Sequence, residues 1–393
     1  MPSRAFYLAV LSLSGFVTSF GAHIVATNLP AYAETVGAGA FMIGLLIAVY
    51  DFAELFAKPA AGFIADRRGM KLMLLVGLAV FFLGSLLFLV ISPRLLLVVR
   101  FVQGLGAAAL STVSISLVAR YFAQSRGRAF GIYNAIKGAG YVIAPATGGF
   151  LAHRFGFAMI FVVSAGIAAV TFALSLILPA DQGGALDDDD DDDISFGDAL
   201  RIFTNPDLLP IYSVIVVNMF LVGILFGFLP VYLHDMGYTT TESGTIVSIA
   251  TAAYLLVQPV AGWMADRYET RFTVLMGLCL AAVGIILTTF ASGWLLIVIV
   301  IAAGIGVGTV WTNSDALVGG AAAANRLGAT IGAAQSFKEF GDMVGPLVVG
   351  LLTQMFGIRT GFITCGTVAL VLLIPLARSQ ALRPRPKSPA DPG

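Results

Sequence analysis

The chain has 393 residues, 58% hydrophobic and 11% charged, with 22 basic side chains balanced by 22 acidic ones. A soluble globule of this size cannot cover its apolar surface with so few charges. Both cysteines, Cys279 and Cys365, lie inside apolar runs, which argues against a disulfide framework or a metal knuckle. A bilayer core needs roughly 20 apolar residues per helix. Twelve runs meet that length: 6–31, 41–64, 71–92, 95–119, 129–152, 157–179, 208–233, 243–265, 272–291, 293–317, 328–355 and 358–377. They lack the period-two alternation of spanning strands, so helices are predicted. The first run follows Met1-Pro-Ser-Arg4 and is long enough to remain as a span, so no cleaved leader is expected.

Between the sixth and seventh runs lies a polar stretch, 180–207, with seven consecutive aspartates from Asp187 to Asp193. A run of like charge reads as a solvated, self-repelling linker rather than a cation site. Ile194 to Phe203 has helical apolar spacing and is predicted to lie along the membrane surface before Asn205-Pro206 breaks it. The expected division is a bundle over 1–179, the linker 180–207, a second bundle over 208–378 and a tail over 379–393. If both termini share one side, the loops on that side hold fifteen Lys and Arg residues, from Arg4 to Lys387; the other side holds only Arg94, Arg154 and Arg359. By the positive-inside rule both termini face the cytoplasm.

The chain repeats itself. Gly62-Phe-Ile-Ala-Asp-Arg67 returns 200 positions later as Gly262-Trp-Met-Ala-Asp-Arg267, each preceded by a proline, Pro59 or Pro259. Gly104 and Gly106 return as Gly304 and Gly306, while Lys137, Pro145 and Gly149 return at an offset of 201 as Lys338, Pro346 and Gly350. A steady offset across several helices means two homologous six-helix halves of like orientation, an organisation common in solute carriers.

Charges inside the apolar runs stand out, because each is costly at the bilayer centre. Asp51, Glu54 and Lys58 share one face of the second run. The fourth carries Arg100, the fifth Lys137, the tenth Asp315, and the eleventh Lys338, Glu339 and Asp342. Five acids against four bases is nearly the balance that mutual pairing requires. Lys137 could meet a substrate anion or a nearby acid, and the residues alone leave both open. His23 reads as a hydrogen-bonded helix residue rather than a proton relay.

On these motifs the chain resembles the major facilitator superfamily over nearly its whole length. The loop between spans two and three matches that family's signature at Gly62, Ala65, Asp66, Arg67, Gly69, Lys71 and Leu74, departing at Ile64 and Met70. Arg100, Gln103, Gly104 and Gly106 are similar to its second motif. Pro145, Gly148 and Gly149 are similar to the motif of drug:proton exchangers, with Ala144 in place of that motif's first glycine. The resemblance implies an all-α membrane protein with twelve transmembrane helices in two pseudo-symmetric six-helix bundles. It implies a cytoplasmic latch in which Asp66, Arg67 and Gly69 act with Arg120. It sets span two against span eleven, so that Asp51 or Glu54 could reach Lys338, and Lys58 could reach Glu339 or Asp342. These pairs would break and reform as a carboxylate exchanges its ion partner for a proton. Arg100 would face the cavity and assist that exchange; the alternative is snorkelling to the interface. Spans one, four, seven and ten would line the cavity, with Asn28, Gln103, Asn218, Trp311 and Asn313 as candidates. Tyr50, Tyr133, Asn134, Lys137 and Tyr141 would join from flanking helices.

The expectation is a proton-coupled exporter of small amphipathic or drug-like molecules, monomeric, in a bacterial inner membrane, with the proton as coupling ion and no cofactor, metal or nucleic-acid partner. The alternatives are uptake or exchange of a small anionic metabolite, with Lys137, Lys338 and Arg100 as the anion clamp, or lipid flipping. No nucleotide loop, metal-spaced histidine cluster or nucleophile triad suggests an enzyme.

Overall fold

The computed structural model describes residues 4–35, 37–90, 95–179, 203–206, 208–268, 270–321 and 327–378. They form twelve long helices, one for each apolar run: α1 (Arg4–Thr35), α2 (Ala40–Arg68), α3 (Met70–Val90), α4 (Leu96–Tyr121), α5 (Arg126–Phe155), α6 (Ala158–Ser175), α7 (Leu209–Asp235), α8 (Thr240–Arg267), α9 (Thr270–Thr288), α10 (Gly293–Ala321), α11 (Leu327–Phe356) and α12 (Ile358–Arg378). A π-helical turn, Ile224–Phe228, interrupts α7. Ten of the twelve are long and apolar enough to cross a membrane on composition alone. The other two are α5 and α11, whose apolar character is diluted by Lys137 and its neighbouring glycines in one and by Lys338, Glu339 and Asp342 in the other. The aspartate run, most of the expected interfacial helix and the tail lie outside the described residues.

Large apolar side chains face outward. Val90, Leu256, Phe290 and Trp294 are each 74–80% exposed, while Arg100, Gln103 and Asn313 are buried. That inversion suits a hydrocarbon solvent. Prolines sit inside α1, α2, α5, α8, α11 and α12. A membrane bundle tolerates them because neighbouring helices take up the freed backbone groups. Beside Pro145, the Ala146 N–H donates to Ser248 Oγ of α8 at 2.9 Å.

Two compact units emerge. The first comprises Met1–Asp189, Phe226–Thr251 and Pro346–Ile358, and the second Asp190–Leu225, Ala252–Gly345 and Arg359–Gly393. In the first, α1 packs on α4, α5 and α6, and α4 on α2 and α3. Its core gathers Leu11, Leu74, Phe81, Leu110 and Tyr133. In the second, α10 packs on α9 and α7. The duplication shows in the seams. A Cβ on Gly77 would stand 3.2 Å from the Gly106 carbonyl oxygen, and one on Gly277 3.0 Å from that of Gly306. Small residues at both crossings let the backbones touch.

Lys71, from the signature loop, closes the first unit. Its Nζ donates to the Leu176 and Leu178 carbonyls, at 2.8 and 2.5 Å, just past the end of α6. A cation on unsatisfied C-terminal carbonyls completes the helix end. Lys71→Met is expected to cost about 1–2 kcal/mol, the order of a charge-assisted hydrogen bond. Thermal unfolding in detergent would fall by a few degrees for Lys71→Met and much less for Lys71→Arg.

Candidate functional site

A polar network lies inside the first unit, between α2, α3, α4 and α6. Arg100, on α4, is 2% exposed. Its Nη1 donates to Gln103 Oε1 at 2.7 Å, one turn along. Gln103 Nε2 donates to Ser85 Oγ at 3.2 Å, and Ser85 and Ser164 hydroxyls lie 3.4 Å apart. Arg100 Cζ stands 4.1 Å over the Tyr50 ring, and its Nε has no acceptor among the described residues. The charges of Asp51 and Glu54 on α2 both act on it. Arg100 is therefore held inward, and the snorkelling alternative does not describe it. Gly104 brings the two helices this close: a Cβ there would meet the Tyr50 carbonyl oxygen at 2.6 Å.

Glu54 takes Lys58, one turn on, as an ion partner at 2.5 Å; their side chains are 14% and 29% exposed. Asp51 is half-buried. Lys137 and Tyr141 on α5 and His23 on α1 are half-buried as well. Ser19 ties these two helices together. Its Oγ donates to the Lys137 carbonyl at 2.7 Å, and its own carbonyl lies 3.0 Å from His23 Nδ1. A carbonyl can only accept, so Nδ1 carries the proton. His23 is thus the hydrogen-bonded helix residue its sequence suggests.

The other cavity candidates divide. Asn134 is exposed and Trp311 half-buried. Lys338 Nζ stands 4.4 Å over the Trp311 ring. Glu339 and Asp342 are half-buried on the same helix. Gln103 is fully buried and engaged by Arg100. Asn218 and Asn313 are buried within helix packing: Asn218 Nδ2 reaches the Val307 carbonyl at 3.4 Å and Asn313 Nδ2 the Thr309 carbonyl at 2.8 Å. Asn28 is buried, with Nδ2 on the Ile24 carbonyl at 2.9 Å. The amide nitrogens are thus engaged by backbone, while the Oδ1 atoms of Asn218 and Asn313 are buried with no hydrogen-bond partner among the described residues. The Asp315 side chain lies outside the described residues.

One end of the first unit carries residues 37–39, 156–157, 236–239 and 357. There, two helix crossings repeat each other. A Cβ on Gly244 of α8 would fall on the Pro145 carbonyl oxygen of α5 and lie 3.3 Å from Gly149 Cα. A Cβ on Gly44 of α2 would fall on the Pro346 carbonyl oxygen of α11 and lie 3.5 Å from Gly350 Cα. Gly44 corresponds to Gly244, Pro145 to Pro346 and Gly149 to Gly350 in the repeat. The exchanger-like motif of α5 thus supplies one half of a two-fold glycine seal, with Gly148 packed on Asn28 of α1 beside it. Sequence reading found Pro145, Gly148 and Gly149 but missed Gly44 and Gly244. Under the seal Thr27, Asn28, His234 and Ser243 line a small niche, where the Thr27 and Ser243 hydroxyls have no partner among the described residues.

At the opposite end of α2, Asp66, Arg67 and Arg68 are exposed. Arg67 lies over the Phe63 ring at 4.0 Å. Gly69 ends the helix with φ 101°, where its N–H bonds the Ala65 carbonyl at 2.8 Å. Arg120 is exposed at the end of α4, and among the described residues Asp66 makes no ion pair with it.

Comparison with known proteins agrees with this architecture. The family model described as Major Facilitator Superfamily matches residues 11–252 and 211–393. Multidrug resistance protein MdtG of Citrobacter koseri is 24% identical over 392 residues, covering 96% of this chain and 95% of that protein. Quinolone resistance protein NorA of Staphylococcus aureus is 25% identical over 364 residues, covering 87% of this chain and 89% of its own. The crystal structure of nucleoside transporter NupG superposes with a TM-score of 0.82 at 15% identity, covering 95% of this chain and 98% of that one; at that identity the likeness speaks for fold alone.

Proposed function

The chain belongs to the Major Facilitator Superfamily and is a multi-pass membrane transporter of small molecules, and from that premise we propose that it exports small amphipathic molecules in exchange for protons. The observation that carries this reading is the buried Arg100 network, packed on Tyr50 of α2, the helix that also bears Asp51 and Glu54. A buried cation packed on a helix that carries carboxylates is an arrangement in which a carboxylate can trade its counter-charge for a proton. Multidrug relatives on the sequence side favour export of drug-like solutes. The distribution of Lys and Arg supports cytoplasmic termini. On that orientation the glycine-sealed end faces outward and the Asp66 end of α2 faces the cytoplasm, from which substrate would enter. Alternating access follows: substrate binds from inside, the seal parts, substrate leaves, and a proton arriving at Asp51 or Glu54 resets the cycle.

Transport in inside-out vesicles tests this. With an imposed proton gradient, wild type is expected to move an amphipathic dye against its concentration. Asp51→Asn and Glu54→Gln would each reduce that flux by about tenfold or more, the scale of a lost charge-assisted interaction. Undiminished gradient-driven flux in both variants would end the proposal.

A further inference from the structure

The duplication leaves one membrane cation without the acids its counterpart has. Setting α5 on α11 at an offset of 201 places Lys137 on Lys338, Gly140 on Gly341, Pro145 on Pro346 and Gly149 on Gly350. Glu339 then falls on Gly138 and Asp342 on Tyr141. Lys338 therefore has carboxylates beside it and one turn on, where Lys137 has a glycine and a phenol. The structure bears out the difference at Lys137. Among the described residues no carboxylate oxygen lies within 4.0 Å of its ammonium. Glu54 is already engaged by Lys58, and Tyr133 and Tyr141 stand one turn before and one turn after Lys137 on α5. Tyr133 is buried with its hydroxyl 2.8 Å from Ser114 Oγ, so Tyr141 is the phenol left beside the ammonium.

An ammonium eleven residues into a 30-residue spanning helix, with no carboxylate partner among the described residues, is expensive unless a cavity or a ligand receives it. The surroundings are those of a receptor for an acid. Lys137 is half-buried, and so are Tyr141, His23 and Phe226. The His23 ring meets Tyr141 edge-on with centroids 4.5 Å apart and faces Phe226 at 6.1 Å. Phe226 is the middle residue of the π-helical turn in α7, a distortion that recurs at functional sites. Because Ser19 fixes the His23 proton on Nδ1, the neutral ring offers Nε2 as an acceptor. The set is one ammonium donor, one phenol, one imidazole acceptor and aromatic walls.

We propose that Lys137 and Tyr141 bind the carboxylate of an aromatic organic acid, whose ring packs against Phe226 and whose own hydroxyl or amine donates to His23 Nε2. A single ammonium suits a monoanion, since a doubly charged phosphate would leave one charge unmatched in a low-dielectric site. This names the substrate class of the transporter and rests on the export reading only for direction.

Calorimetry on the purified full-length chain in detergent tests it with three probes: a hydroxynaphthoate, its methyl ester and a naphthyl trimethylammonium. Wild type is expected to bind the acid about tenfold or more tighter than the ester, the scale of a charge-assisted hydrogen bond. Lys137→Met should erase that preference, with thermal unfolding in detergent close to that of wild type certifying its fold. Lys137→Arg should keep most of it, and Tyr141→Phe should weaken the acid alone. Equal binding of acid and ester, preference for the cation, no binding of the acid, or a preference surviving in Lys137→Met would each overturn the assignment. No proton gradient enters the measurement. Loss of gradient-driven export would therefore leave it standing, and its failure would leave export untouched.

Discussion

Replacing Gly44 by alanine is expected to raise the alkylation rate of a cysteine placed at Ser243 by about 5–150-fold. Ser243 is 4% exposed and lies under the glycine seal, on a different helix from Gly44. The added methyl would fall on the Pro346 carbonyl oxygen and lie 3.0 Å from its carbon. Both are backbone atoms, so no side-chain rotation relieves the overlap and the helices must part. Overpacking of this kind costs about 1–3 kcal/mol. The cost falls on the sealed state alone, so it appears as a shift between two states rather than as unfolding. Gly244→Ala should do the same at the symmetry-related crossing, read by a cysteine at Ile43, which is 2% exposed. Since each substitution burdens the same state, the double variant should multiply the two factors. Gly62→Ala is the control: its methyl would meet nothing closer than Thr112 Cγ2 at 3.7 Å. The native Cys279 and Cys365 would first be changed to serine, and a membrane-impermeant maleimide used. An unchanged rate in Gly44→Ala would remove the seal from the account.

The helices were legible because the bilayer writes them plainly: a hydrocarbon layer demands about 20 apolar residues per crossing, whatever else the sequence encodes. Arg100 was legible for the same reason, as a costly charge among leucines and valines. The glycine seal was not. The chain has 44 glycines, and composition marks none of them as special. What distinguishes Gly44 and Gly244 is the carbonyl each one touches, and only their equal spacing in the repeat could have singled them out. The same contacts explain why the compact units do not follow the halves cut at residue 180: the glycine crossings hold Phe226–Thr251 and Pro346–Ile358 against the first six helices. Gln103, Asn218 and Asn313 show a second limit. An amide in an apolar run reads as a cavity contact, yet each of these has a partner in the packing: Arg100 one turn back on the same helix for Gln103, the carbonyl of Val307 on another helix for Asn218, and that of Thr309 one turn back for Asn313. The π-helical turn of α7 carried no composition signal at all, and with it Phe226 escaped notice.

Arg100→Met should abolish gradient-driven transport, with a loss of about 100-fold or more. Removing one member of a buried charged cluster costs about 3–5 kcal/mol, where each 1.4 kcal/mol is tenfold. Methionine keeps much of the side chain's length and its packing on Tyr50. It removes the donor that holds Gln103 Oε1 and the charge on which Asp51 and Glu54 act. Arg100→Lys should recover only part of the activity, because an ammonium cannot both lie flat on the Tyr50 ring and reach Gln103. Coupling separates from architecture by comparing two fluxes. Exchange of labelled for unlabelled substrate at equal pH needs no net proton movement, so Arg100→Met should retain it within a few-fold. If exchange and gradient-driven flux collapse together, Arg100 holds the bundle rather than the proton, and the Gln103–Ser85 chain is a structural brace. If gradient-driven flux survives, the coupling charge lies elsewhere in the membrane.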